Sequence, residues 1–369
     1  MDIGKRLKIA REAIGYTLQR AAEESGIGES SISEFENDKR EPKFSHLSRL
    51  AQAYRRTIDF FLADKLPVEE FMLWRKEPDS EQEKKRVEAE FRQLCEQYHR
   101  LELCTGQVPK ATLPMSDVSE PEDFGYRQAG LLAEKAQREF LLGDVPSASL
   151  KRLLEEKYHV KIFHLDFAGS AISIKSPVFG SAVLLNKANK EWRRNFDLAH
   201  ELFHLLTSDI FRKGDTASGE PSDFEEKLAN AFASRLLLPT DPVKEKIEAA
   251  MSTQGTISFE ALDEIAREFG VSLDALLWRM LYLYGKSPEQ IQAYVEKAKQ
   301  VKVNRPARRS DEPDELPERY CTLALKALRD GKLSLMQFAK YMGISYKKAQ
   351  EYLTEDEDFT DEKVSISVT

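Results

Sequence analysis

The segment FDLAHELFHLLT, Phe196 to Thr207, constrains this chain more than any other. It sets two of the six histidines four residues apart inside an apolar helical stripe, with Glu201 beside the first. Residues four apart share a helix face, with roughly 5–6 Å between their β-carbons. His200 and His204 can therefore ligate one ion, at about 2.0–2.1 Å for zinc. Glu201 lies one step round the helix, where it can reach a metal-bound water without being a ligand and act as general base. Phe196, Leu198, Ala199, Leu202, Phe203, Leu205 and Leu206 supply an apolar face that packs the helix into a domain. The plain alternative is a pair of core or surface histidines.

Catalytic zinc takes a third protein ligand and keeps one position open. No histidine follows His204, so the downstream candidates are acidic. In DFEEKLANAFASRLLLP the apolar stripe runs Leu228, Ala229, Phe232, Ala233, Leu236 and Leu237. Glu226 leans toward that stripe, whereas Glu225 and Lys227 are expected to face outward. Small Ala229 and Ala233 permit close helix approach, which could bring Glu226 to the histidine helix. Otherwise Glu226 is a first-turn glutamate complementing the helix dipole.

Composition excludes other classes. The 369 residues allow two or three domains. No apolar run approaches the length of a membrane span, and the N-terminus shows no secretory signal. Three cysteines, Cys95, Cys104 and Cys321, make a poor disulfide framework, which points to the cytoplasm. A net charge of −8 argues against indiscriminate nucleic-acid coating but allows one basic face.

Periodicity predicts five short helices over 1–65, one long helix from about Ser80 to Leu103, and a Gly/Pro/Ser linker over 105–125. HVKIFHLDF, SAISIK and GSAVLLN read as three strands. Helices follow at about 190–207, 222–237, 240–251, 258–268 and 272–284. Residues 317–355 are helical again, with a helix-turn-helix outline, and KVSISVT could add a strand or occupy a groove. His159 and His164 read as ordinary packed or solvated histidines.

RRNFDLAHELFHLL followed by EEKLANAFASRLLLP resembles the ImmA/IrrE family of metallopeptidases, over roughly residues 125–285. The resemblance implies zinc, with manganese as an alternative, held by His200, His204 and Glu226. It implies Glu201 as general base and Asn230 as a group supporting a ligand or the helix packing. Asp197 departs from the family's Ser or Thr, and Phe203 from a common Gly. SAVLLN is then either an edge strand that pairs with an extended peptide substrate or an ordinary structural strand.

TLQRAAEESGIGESSISEFENDKREPKFSHLSRLAQAY resembles the XRE family, the lambda-repressor-like helix-turn-helix fold, across residues 3–63. The resemblance maps base reading onto Glu29, Ser30, Ser31 and Ser33, and phosphate contacts onto Lys39, Arg40 and Gln19. Leu18 stands where the family commonly has Gln, and Glu29 sets negative charge where a groove-facing residue is expected. A dimerisation or partner-binding module is the alternative.

The expected fold is mainly α with a small β-sheet (α+β). Residues 1–65 form the XRE-type domain, 66–124 a linking helix and linker, 125–300 a zincin-like metallopeptidase domain, and 301–369 a linker, small helical region and acidic tail. The expected function is a cytoplasmic, homodimeric regulator that binds operator DNA and hydrolyses a repressor or antitoxin-like protein in a stress response. The rival is a repressor or antitoxin whose metal domain is a sensor or structural module without proteolysis.

Overall fold

The computed structural model describes residues 3–62, 72–109, 113–114, 116–118, 120–212, 220–300 and 312–354. The KVSISVT motif lies outside the described residues. In chain order the helices are α1 (Ile3–Ala13), α2 (Leu18–Ser25), α3 (Glu29–Glu36), α4 (Phe44–Ala53), α5 (Ile58–Leu62), α6 (Glu81–Cys104), α7 (Tyr126–Phe140), α8 (Leu150–Glu156), α9 (Glu191–Phe211), α10 (Asp223–Leu237), α11 (Thr240–Ala250), α12 (Phe259–Glu268), α13 (Leu273–Tyr284), α14 (Pro288–Gln300), α15 (Glu318–Arg329), α16 (Leu335–Tyr341) and α17 (Tyr346–Thr354). The strands are β1 (Met72–Arg75), β2 (Lys161–Leu165), β3 (Ala171–Ser176) and β4 (Gly180–Asn186). Mostly helix with one small sheet is the expected α+β class.

The chain folds as two compact units. The first takes Met1–Leu66, Glu88–Lys110 and Leu316–Thr369. Its first helices enclose Leu7, Ala10, Ala21, Ile32, Phe35, Leu50 and Phe61, all buried. Thr17 caps α2 by accepting from Arg20 N at 3.1 Å. Gly26, at φ 61°, turns the chain from α2 into α3. Arg49 on α4 donates to the Gly26 carbonyl at 2.5 Å and pins that turn. A buried Arg11–Glu36 pair, bidentate at 2.7 and 2.8 Å, ties α1 to α3. In the same unit α15 packs on the C-terminal part of α6. Arg319 donates to buried Glu102 at 2.6 Å, and the Tyr320 hydroxyl donates to Gln97 at 3.1 Å. Gly343, at φ 64°, turns α16 into α17, giving the helix-turn-helix outline expected there.

The second unit takes Pro67–Val87 and Ala111–Glu315 and carries the sheet. Strand order is β1-β3-β4-β2, with β1/β3 and β3/β4 antiparallel and β4/β2 parallel. The sheet decides one open alternative and adds one strand. SAVLLN lies in β4, between β3 and β2, so it is an ordinary inner strand and not an edge offered to a peptide. The sheet also has a fourth strand: MLWR, in the charged stretch after the first helices, forms β1 along the open side of β3. At the opposite edge, His164 N on β2 donates to Glu315 O and His164 Nδ1 faces Asp314 O, both at 3.1 Å. His164 is thus a packed histidine.

Alternation along the register puts Leu73, Arg75, Ala171, Ser173, Val183 and Leu185 on one face. Ala171, Val183 and Leu185 belong to the same core as Leu198, Leu202 and Leu205 of α9. The helix that carries the histidines is therefore packed on both sides, by the sheet and by α10. Leu228, Ala229, Phe232, Ala233 and Leu236 of α10 are all fully buried in that core.

Candidate metal centre

The α9–α10 contact brings the predicted residues together. His200 and His204 present their Nε2 atoms to each other at 3.2 Å. The Glu226 carboxylate faces both, one oxygen 3.2 Å from His200 Nε2 and the other 3.2 Å from His204 Nε2. Ligands about 2.0–2.1 Å from a zinc ion at tetrahedral angles stand roughly 3.3–3.4 Å from one another. The three donors already have that spacing, so they could hold one divalent ion with little rearrangement. Both histidines are buried, while the Glu226 side chain keeps 33% of its exposure and opens the cluster to solvent.

The distal ring nitrogens are held as well. His200 Nδ1 lies 3.1 Å from Asn230 Oδ1, so Asn230 supports a histidine of the cluster. His204 Nδ1 lies 3.0 Å from Glu225 Oε1. Glu225 does not face outward as expected: it is buried and accepts from Arg212 Nη1 and Nη2 at 3.0 and 2.9 Å. Ser222 caps α10 by accepting from Glu225 N at 3.2 Å, which fixes the first turn where both glutamates sit. Sequence reasoning missed Glu225, although it stands three before Leu228 and seven before Phe232, on the buried stripe.

These contacts set the charges. Burial lowers the His200 pKa to about 3. Burial would lower His204 too, but Glu225 and Glu226 overcome it and raise that imidazole to about 9. Glu226 is pulled well below the ordinary carboxylate value, its two imidazole contacts outweighing burial. Glu225 is likewise lowered, by His204 and Arg212 against burial.

Glu201 is fully buried, and neither carboxylate oxygen has a hydrogen-bond partner among the described residues. Burial pushes its pKa up to about 7, against the pull of His204, Ser173 and Arg75. A buried carboxyl with only Ser173 as a distant donor, beside a cluster of ligand atoms, is able to take or give a proton there. Arg75 was not foreseen. Its Nε faces Asp197 Oδ1 at 3.2 Å, and Nη2 donates to Asn230 Oδ1 at 3.2 Å.

The residues expected to touch DNA all lie in the first unit. Gln19, Glu29, Ser30, Lys39 and Arg40 are exposed, and Ser31 and Ser33 half-buried. Arg40 is engaged locally, 3.2 Å from Glu34 and over the Phe35 ring. Gln19 donates to Glu23 at 3.4 Å. Among the described residues no helix is long and apolar enough to cross a membrane.

A family model for the IrrE N-terminal-like domain, a peptidase family, matches residues 155–281. A helix-turn-helix model matches residues 7–61. The HTH-type transcriptional regulator ImmR of Bacillus subtilis (strain 168) is 42% identical over 62 residues, which are 17% of this chain and 49% of that relative. The chain thus spans about half the length of the curated relative it matches. Among solved structures, a Mycobacterium tuberculosis transcriptional regulator aligns at 17% identity and a TM-score of 0.32 over 53% of each chain. Bacillus thuringiensis PlcR, solved in complex with the peptide PapR7 and DNA, aligns at 14% identity and a TM-score of 0.17 over 97% of this chain and 96% of its own.

Proposed function

We propose that this chain, which joins an XRE-type helix-turn-helix region to an IrrE N-terminal-like domain, is a DNA-binding transcriptional regulator carrying a zinc-dependent endopeptidase. The observation that carries the reading is the triangle of His200 Nε2, His204 Nε2 and the Glu226 carboxylate, 3.2 Å on each side. His200, His204 and Glu226 would hold the ion, for which manganese is an alternative. Zinc, when bound, supplies Lewis acidity and a water of pKa about 7.

Glu201 takes the proton of the attacking water and passes it to the leaving amine, so the new C–O bond forms and the C–N bond breaks without net charge change. Burial lifts this carboxyl above the ordinary glutamate range in the metal-free site, which favours its taking up and delivering a proton. Asn230 and Glu225 orient the two imidazoles. A purely structural zinc site has no use for a buried, unpartnered base, and Glu201 therefore favours hydrolysis over a sensor or structural module.

The substrate is a repressor or antitoxin-like protein, and cleavage relieves repression in a stress or defence response in the cytoplasm. The first unit reads an operator, as a homodimer, with Glu29, Ser30, Ser31 and Ser33 toward the bases and Gln19, Lys39 and Arg40 toward phosphates. The test incubates the zinc-loaded full chain with the proteins encoded beside its gene. Cleavage by wild type and none by Glu201→Gln supports the proposal. Tight operator binding with no cleavage of any neighbour supports the sensor reading in its place.

A further inference from the structure

The region that matches the IrrE-like domain begins at residue 155, yet one group at the metal centre comes from well before it. Arg75 ends β1, with Arg75 opposite Ala171 and Leu73 opposite Ser173 on β3. The Arg75 carbonyl accepts from Ser170 N at 3.1 Å, so the strand is fixed where this side chain leaves it. The guanidinium then meets Asp197 through Nε at 3.2 Å, lies 5.0 Å from the Phe196 ring centroid, and donates through Nη2 to Asn230 Oδ1 at 3.2 Å. The same Asn230 oxygen faces His200 Nδ1 at 3.1 Å.

An arginine has only donors to offer. The Asn230 atom turned toward Arg75 must therefore be its oxygen, which excludes the flipped amide. An amide oxygen can only accept, so His200 Nδ1 opposite it carries the hydrogen. In a neutral imidazole the lone pair then sits on the other nitrogen. That nitrogen is Nε2, the atom facing Glu226 and His204.

We propose that Arg75 is a positioning residue of the metal centre: it sets the Asn230 amide orientation and, through it, the His200 tautomer that offers Nε2 to zinc. The inference rests on the zinc reading above. It also gives Asp197 a purpose where the resembled motif carries Ser or Thr. Asp197 is the buried counter-charge of Arg75, shared with Arg193 Nε at 3.1 Å.

A double-mutant cycle on zinc affinity tests this, using the full chain in competition with a chromophoric chelator. Arg75→Met and Asn230→Ala should each weaken zinc binding about tenfold. The double variant should lose about tenfold in all and not a hundredfold, because both residues act through one oxygen. A residue that merely supported the fold would add its loss to that of Asn230→Ala. Arg75→Lys keeps the charge beside Asp197 but replaces the fork with a single ammonium. It should still unfold in one cooperative thermal transition and lose zinc several-fold, so the test stands even if Arg75→Met does not fold. Wild-type affinity in a folded Arg75 variant, or additive losses in the double variant, would overturn the proposal. A wild-type chain that holds no zinc would overturn the zinc reading, and this inference with it.

Discussion

Glu225 Oε1 lies 3.0 Å from His204 Nδ1, while the next residue, Glu226, faces Nε2 of the same ring at 3.2 Å. Adjacent glutamates in one helical turn thus bracket one imidazole. The buried partner orients it, and the partly exposed one is placed to share an ion with it. Glu225→Gln keeps the shape but sets an amide between His204 and Arg212. Zinc affinity should fall about 10- to 100-fold, read by chelator competition.

Metal uptake should release a proton from His204. Without metal that imidazole is held charged up to about pH 9 by Glu225 and Glu226. The raised value stabilises the metal-free fold fully below its ordinary 6.5 and is lost as pH rises through about 9. An ion must displace the proton, so apparent zinc affinity should climb about tenfold per pH unit between 7 and 8. Titration calorimetry in two buffers of different ionisation enthalpy checks this, and heats independent of buffer would count against it.

The α9–α10 spacing depends on small side chains. Ala229 is fully buried in the shared core, one residue before Asn230. Ala229→Leu adds three carbons where none fit and should cost about 1–3 kcal/mol. Thermal unfolding of the second unit should fall by several degrees, with weaker zinc binding.

The first unit has a corresponding weak point at its turn. Gly26 sits at φ 61°, and a β-carbon there would run into the Arg49 guanidinium that holds the turn. Gly26→Ala should cost roughly 1–2 kcal/mol for the left-handed backbone. Urea unfolding should detect it, with operator affinity reduced and zinc affinity unchanged.

Much of this was readable from residues. His200, Glu201 and His204 announce themselves because four-residue spacing maps directly onto one helix face. Glu226 followed from its offset to the Ala229 stripe. The helices were legible for the same reason, each carrying enough turns to show its period. β1 was not: MLWR is four residues long, too short to show alternation, and is a strand only because β3 has an open side for it. β4 reads as a strand from its composition, but its inner position depends on which neighbours pair with it. Glu225 was misread because the α9–α10 contact, with Arg212 beside it, buries Glu225 and leaves the neighbouring Glu226 only half-buried at its edge. Arg75 was invisible, since nothing local links it to Asn230, 155 residues later.

The most direct measurement is a crystal structure of the zinc-loaded chain with anomalous data collected at the zinc edge. The account predicts one peak bound by His200 Nε2, His204 Nε2 and a Glu226 oxygen at about 2.0–2.1 Å, with the fourth position left to water. A chain that retains no zinc at this site, or an ion bound with Glu226 turned away, would contradict it.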